Sequence, residues 1–153
     1  MQLRPALARL DTFAGYLQSP LLLVIRLYWG WQFAQTGWGK LMNLDRTAGF
    51  FGSLGIPLPK VNAVIAGGTE CVGGVLLALG LFARPAAVPL IFTMLVAYGT
   101  ADRVALNGIV RDPDQFVTAA PFLFLLASLL VLAFGPGRLS LDALLRGNGR
   151  PAK

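Results

Sequence analysis

Four long apolar runs dominate the chain, roughly residues 19–42, 61–83, 85–106 and 115–134, separated by polar or Pro/Gly-rich breaks. A helix needs about 20 predominantly apolar residues to cross a bilayer, and each run has about that length. The pattern predicts an all-α polytopic membrane protein, an antiparallel four-transmembrane-helix bundle with amphipathic ends. The whole chain, 1–153, reads as a single domain, since the runs leave no room for a separate soluble one. Ser19 and Pro20 read as the N-cap and first residue of the first helix, which ends near Asn43. Gly80 closes the second, and Pro85 follows so soon that only a tight antiparallel hairpin fits. Asp112, Pro113 and Gln115 read as cap, first-position proline and capping-box partner of the fourth, which Gly135-Pro136-Gly137 stops.

The segments between and beyond the runs are patterned too. Leu3, Ala6, Leu7, Leu10, Phe13, Ala14 and Leu17 recur at three- and four-residue steps, an amphipathic stretch expected to lie along the membrane surface. It has neither a compact apolar centre nor a small-residue cleavage site, so it does not read as a signal peptide. The connection 44–60 is apolar for a loop, with Phe50, Phe51, Leu54, Ile56 and Leu58. Asp45 could cap a short helix there that stops at Gly55, and the segment is expected in the interface or folded back as a lid. A short amphipathic tail, 139–145, opens with Ser140.

Composition sharpens this picture. Of 153 residues, 56% are hydrophobic and 13% charged, against about 25% charged in a soluble domain. The net charge of +6 is spread over helix ends, where it suits lipid headgroups, and forms no basic stripe for nucleic acid. An even number of spans puts both termini on one side. Seven Lys/Arg fall there (Arg4, Arg9, Arg84, Arg138, Arg146, Arg150, Lys153) against five opposite (Lys40, Arg46, Lys60, Arg103, Arg111), so the termini are expected to be cytoplasmic. Histidine is absent and Cys71 is the one cysteine, which argues against haem, a metal site and an intramolecular dithiol. Cys71 reads as a packing residue.

Candidate chemistry begins with Glu70, the one charge inside the run 61–83. A carboxylate there is costly unless it is paired, and it marks either a site or a register device. Gly67 and Gly74 share its helical face and permit close approach of another helix. Arg26, Gly30, Phe33, Gly37 and Lys40 are spaced four, three, four, three, which lines them on one stripe facing partner helices. Arg26 and Lys40 lie roughly 21 Å apart along it, with Glu70 expected between their levels. Lys40 could also snorkel to the interface, and Arg26 could pair with backbone carbonyls or lipid phosphate. Tyr98 and Asp102 share a face of the third helix, where Asp102 could equally be neutralised by Arg103. Glu70 and Asp102 are thus the candidate catalytic proton carriers; Arg26, Phe33, Lys40, Trp38 and Tyr98 are the candidate ligand-binding residues. A pocket is expected in the non-cytoplasmic half under the 44–60 segment, with Gly37 and Gly67 leaving space for a flat ring that Phe33 and Trp38 stack on.

The stretch Arg26-x3-Gly30-x2-Phe33-x3-Gly37-x2-Lys40-Leu41 resembles the first helix of the DoxX family of small bacterial membrane proteins. The resemblance continues through Leu54-Gly-Ile-Pro57, Glu70-x3-Gly74, Gly80-Leu81, Arg84 and the ending Gly135-Pro-Gly-Arg-Leu-Ser-Leu-Asp142. It implies a four-helix bundle in the bacterial plasma membrane and a link to redox physiology, since members include a thiosulfate:quinone oxidoreductase subunit and partners of oxidative-stress enzymes. Relatives that use paired cysteines are not matched, because only Cys71 is present. The leading expectation is a quinone-linked oxidoreductase subunit or redox partner with quinone bound in the bundle. Electrons would then come from the substrate, an organic cofactor, or a membrane or soluble partner protein. The alternatives are a non-enzymatic scaffold for a partner and a carrier of a lipid-like molecule; self-association stays open.

Overall fold

The computed structural model describes the backbone of residues 3–145 and 147, and side chains from Phe13 onward. The N-terminal apolar positions Leu3, Ala6, Leu7 and Leu10, and the charges of Arg4, Arg9, Arg146, Arg150 and Lys153, lie outside the described side chains. Among the described residues the chain is all-helical: α1 (Leu3–Met42), α2 (Leu44–Ser53), α3 (Pro59–Leu79), α4 (Ala83–Thr100), α5 (Arg103–Asn107), α6 (Pro113–Thr118), α7 (Pro121–Phe134) and α8 (Leu141–Leu145). Of these, α3 and α4 are long and apolar enough to cross a membrane.

The helix bounds depart furthest from the apolar runs at three places, each for a local reason. Helix α1 does not begin at Ser19 but runs on through Pro20. The Ser19 hydroxyl accepts from the Arg138 backbone N–H at 3.2 Å instead of capping a helix. The third run ends as helix at Thr100, because Asp102 turns the chain and its N–H donates five residues back, to Ala97 O at 3.1 Å. The fourth run is interrupted at Ala119 (φ −63°, ψ 142°). Pro121 has no N–H to donate and its ring would strike the carbonyl four residues back, so the helix stops and restarts with proline at its first position. That leaves α7 with 14 residues, about 21 Å long.

Glycines set the main packing contact. A Cβ on Gly30 would stand 2.7 Å from Gly74 O, and one on Gly74 only 2.6 Å from Gly30 O. A Cβ on Gly37 would stand 2.6 Å from Gly67 O. These two levels, one heptad apart on each helix, lock α1 and α3 antiparallel with backbone against backbone. The space expected at Gly37 and Gly67 for a flat ring is therefore filled by the facing helix. Phe33, Leu77, Ala87, Leu90, Met94 and Val131 form the core joining α1, α3, α4 and α7. Phe124 meets Phe33 edge-on at 4.6 Å between ring centres.

Candidate functional site

The antiparallel register explains how two distant charges meet. The paired glycines put Glu70 about level with Thr36, four residues and about 6 Å short of Lys40 along α1. Side chains lean toward the N-terminus of their own helix, so in antiparallel neighbours these two lean toward each other. Lys40 Nζ donates to Glu70 Oε2 in an ion pair whose side chains are 30% and 2% exposed. Arg26 lies about level with Gly80, about 15 Å from Glu70, and is out of reach.

The pair lines a cavity of about 480 Å³, within the range of small-molecule sites. Thr36 and Lys40 of α1 and Ala66, Thr69 and Glu70 of α3 form one side. Thr93, Ala97 and Thr100 of α4 and Phe124 of α7 form the other. Phe50 and Phe51 of α2, with Leu54 and Ile56 after it, roof the space. Helix α2 starts after Asn43, and neither Asn43 nor Asp45 caps it with a side chain. Asp45 instead pairs with Lys60 at 3.0 Å, tying the start of the roof to the start of α3.

Most polar groups of the wall are already satisfied. Thr93 Oγ1 donates to Pro89 O at 2.9 Å, Thr100 Oγ1 to Val96 O at 2.7 Å, and Asn62 Nδ2 to Pro57 O at 2.6 Å. Asp102 lines the cavity and pairs with no base among the described residues, Arg103 included. The chemistry on offer is thus one ion pair, one further carboxylate and the Thr69 hydroxyl in an otherwise apolar or satisfied chamber.

Lys40, Glu70 and Asp102 come together at this cavity, while the other candidates lie elsewhere. Phe33 is fully buried in the core behind the wall. Trp38 is 57% exposed on the outer face, because one residue past Gly37 turns it about 100° off the packed stripe. Tyr98 is buried, stacked on Phe116, and its hydroxyl donates to Phe116 O at 2.8 Å, which anchors α6. The threonines and Phe124 were not singled out from sequence; Thr93 and Thr100, seven residues apart on an apolar helix, were the available sign.

Arg26 belongs to the opposite end of the helices. It is fully buried, donates to Leu139 O at 2.5 Å, and lies against Gly80, whose left-handed backbone (φ 66°) ends α3. A cation at a helix C-terminus is favoured by the helix dipole. Asp142 N–H donates to Gly80 O at 3.0 Å, and the Asp142 carboxylate caps α4. Arg84 donates to Leu132 O at 3.2 Å and Ala133 O at 3.3 Å, satisfying the end of α7. The segment 135–145 is thereby a clasp across three helix ends.

An all-helical membrane protein with a roofed apolar cavity, one half-buried ion pair and a clasped far end is the class that fold and site define. Residues 21–103 match the DoxX family model, and the chain belongs to the DoxX family. It is 33% identical over 136 residues to the inner membrane protein YphA of Escherichia coli (strain K12), an alignment covering 84% of this chain and 92% of that one. It is 35% identical over 135 residues to the uncharacterized membrane protein Rv3486 of Mycobacterium tuberculosis (strain ATCC 25618 / H37Rv), covering 80% of each. No solved structure matches the chain.

Proposed function

We propose that the chain is a multi-pass protein of the bacterial plasma membrane with cytoplasmic termini, in which α1, α3, α4 and the α6–α7 segment make an antiparallel four-helix bundle. In this reading the cavity holds a small hydrophobic ligand, and the protein serves quinone-linked redox chemistry as an oxidoreductase subunit or redox partner. The observation that carries it is the Lys40–Glu70 pair opening into an apolar chamber under α2. A quinone is an apolar ring with hydrogen-bond acceptors, so a charged donor at the end of an apolar pocket suits it. Lys40 would donate to a ring oxygen. Phe124 and Phe51 offer aromatic surface to the ring. Glu70 and Asp102 stand where protons would be exchanged as electrons arrive from a partner or substrate. The inner-membrane name of the E. coli relative supports the location.

Solvent extraction of the purified protein, with mass spectrometry and a visible absorption spectrum, tests the ligand. A co-purifying quinone supports the reading. A phospholipid in its place turns the site into that of a lipid carrier, and an empty cavity with a co-purifying protein turns the chain into a scaffold. A short-tail quinone analogue should bind at least tenfold more weakly, about 1.4 kcal/mol, in Glu70→Gln and in Lys40→Met. Unchanged affinity in both, with the fold intact, removes quinone from this cavity.

A further inference from the structure

The ion pair lines the chamber and leaves both of its members with unused hydrogen-bonding capacity. Lys40 Nζ has three donors and spends one on Glu70 Oε2. Glu70 Oε1 accepts nothing among the described residues, yet it is not walled off from the space it lines. A charged donor and a charged acceptor therefore sit side by side with no net charge between them. A carbonyl oxygen, which only accepts, answers Lys40 and leaves the carboxylate oxygen unmet. A hydroxyl, which both donates and accepts, answers the two together. Sites that hydrogen-bond a hydroxyl reject analogues lacking it far more strongly than apolar pockets reject a change of size, because buried polar groups are left unpaired.

The rest of the chamber says where such a ligand comes from. Ile65 of α3 and Phe92 of α4 line the cavity and are nevertheless 58% and 67% exposed. The chamber thus reaches the outer surface through a gap between α3 and α4 edged by apolar side chains, including Val96. That edge suits an apolar tail.

Resting on the ligand reading above, we infer that the site recognises a hydroxyl-headed, membrane-dissolved molecule, a quinol or phenol-headed lipid, more tightly than the oxidised quinone. Its hydroxyl bridges Lys40 Nζ and Glu70 Oε1, and its tail leaves between α3 and α4. The pair matches the head, and the gap matches the tail.

The test uses the full chain in detergent and three probes: a short-tail benzoquinol kept anaerobic, the size-matched benzoquinone, and the dimethyl ether of the quinol. The quinol is expected to bind at least tenfold tighter than either of the others. Equal binding of quinol and quinone, or a preference for the quinone, overturns hydroxyl recognition and leaves the quinone-linked reading standing. Binding of none of the three overturns both. In the double variant Lys40→Met/Glu70→Leu, which removes the pair without leaving an orphan charge, the preference for the quinol over the quinone should disappear. A preference that survives in a folded double variant places recognition elsewhere and also overturns the inference.

Discussion

Asp142 caps a helix that begins 59 residues before it: its Oδ1 accepts from the Phe82 N–H at 2.9 Å and its Oδ2 from the Ala83 N–H at 3.1 Å. Phe82 holds a left-handed backbone (φ 46°), a conformation that costs a non-glycine residue about 1–3 kcal/mol and persists only where the surroundings fix it. The carboxylate provides that fixing from outside the turn. Asp142→Ala should destabilise the protein by about 1–2 kcal/mol, and Asp142→Asn, which keeps one acceptor, by less. Thermal unfolding in detergent followed by circular dichroism reads the order; equal losses would mean that the side chain acts through packing alone.

The Lys40–Glu70 pair has an asymmetric liability. Removing one member leaves a charge in an apolar wall, which costs about 3–5 kcal/mol, whereas removing both can be close to neutral. Lys40→Met should therefore be more damaging than Lys40→Met/Glu70→Leu. A double-mutant cycle on unfolding measures this, and additive losses would show that the two side chains act independently.

Glycine substitutions should divide sharply by position. Gly74→Ala and Gly37→Ala push a methyl into the facing backbone, where small-to-large changes cost about 1–3 kcal/mol or more. A Cβ at Gly39 or Gly68 meets nothing within 4 Å. There the better helix propensity of alanine should add up to about 1 kcal/mol. The recovery of monodisperse protein after a heating series separates the two groups.

The proposed topology predicts opposite accessibility at the two ends. In a Cys71→Ser background, Ser53→Cys beside the roof and Leu144→Cys in α8, both exposed, should react with an impermeant maleimide from opposite faces of the membrane. Labelling of both from one face would rule out the proposed arrangement.

The residues that meet at the cavity were legible where physics leaves few choices. A charge inside an apolar run must find a partner, and a three-four spacing of glycines must face another helix, so an inward Glu70 and the Gly30/Gly37 contact face beside the cavity could be expected beforehand, whereas Lys40 was equally compatible with snorkelling and its pairing with Glu70 was left open. The roof was legible because Phe50, Phe51 and Leu54 are too apolar for a solvated loop. What could not be read was whatever depends on contacts across the sequence. Ser19 looks like a cap until Arg138 claims its hydroxyl, and Trp38 looks like a ring to stack on until the packed stripe turns it outward. Arg26 could be assigned a burial but not a carbonyl on Leu139, 113 residues away. Asp142 could be matched to a family ending, yet capping motifs are read within a turn, and this cap reaches across the chain.

The clasp gives the molecule unequal ends. Around Gly80, hydrogen bonds from Arg26, Arg84 and Asp142 tie together three helix termini. At the α2 end, among the described residues, Lys40–Glu70 ties α1 to α3, but the roof itself is held by the exposed Lys60–Asp45 pair, the Thr47 hydroxyl on Lys40 O and apolar contacts that lipid could replace. Local opening follows the least-tied elements. On the proposed ligand reading, the α2 roof is therefore expected to lift as the jaw of a clothes-peg does, with the spring at Gly80 and the mouth beneath Phe50 and Phe51, while the Gly37–Gly67 contact keeps α1 against α3, so that traffic through the chamber works against the roof and never against the pivot.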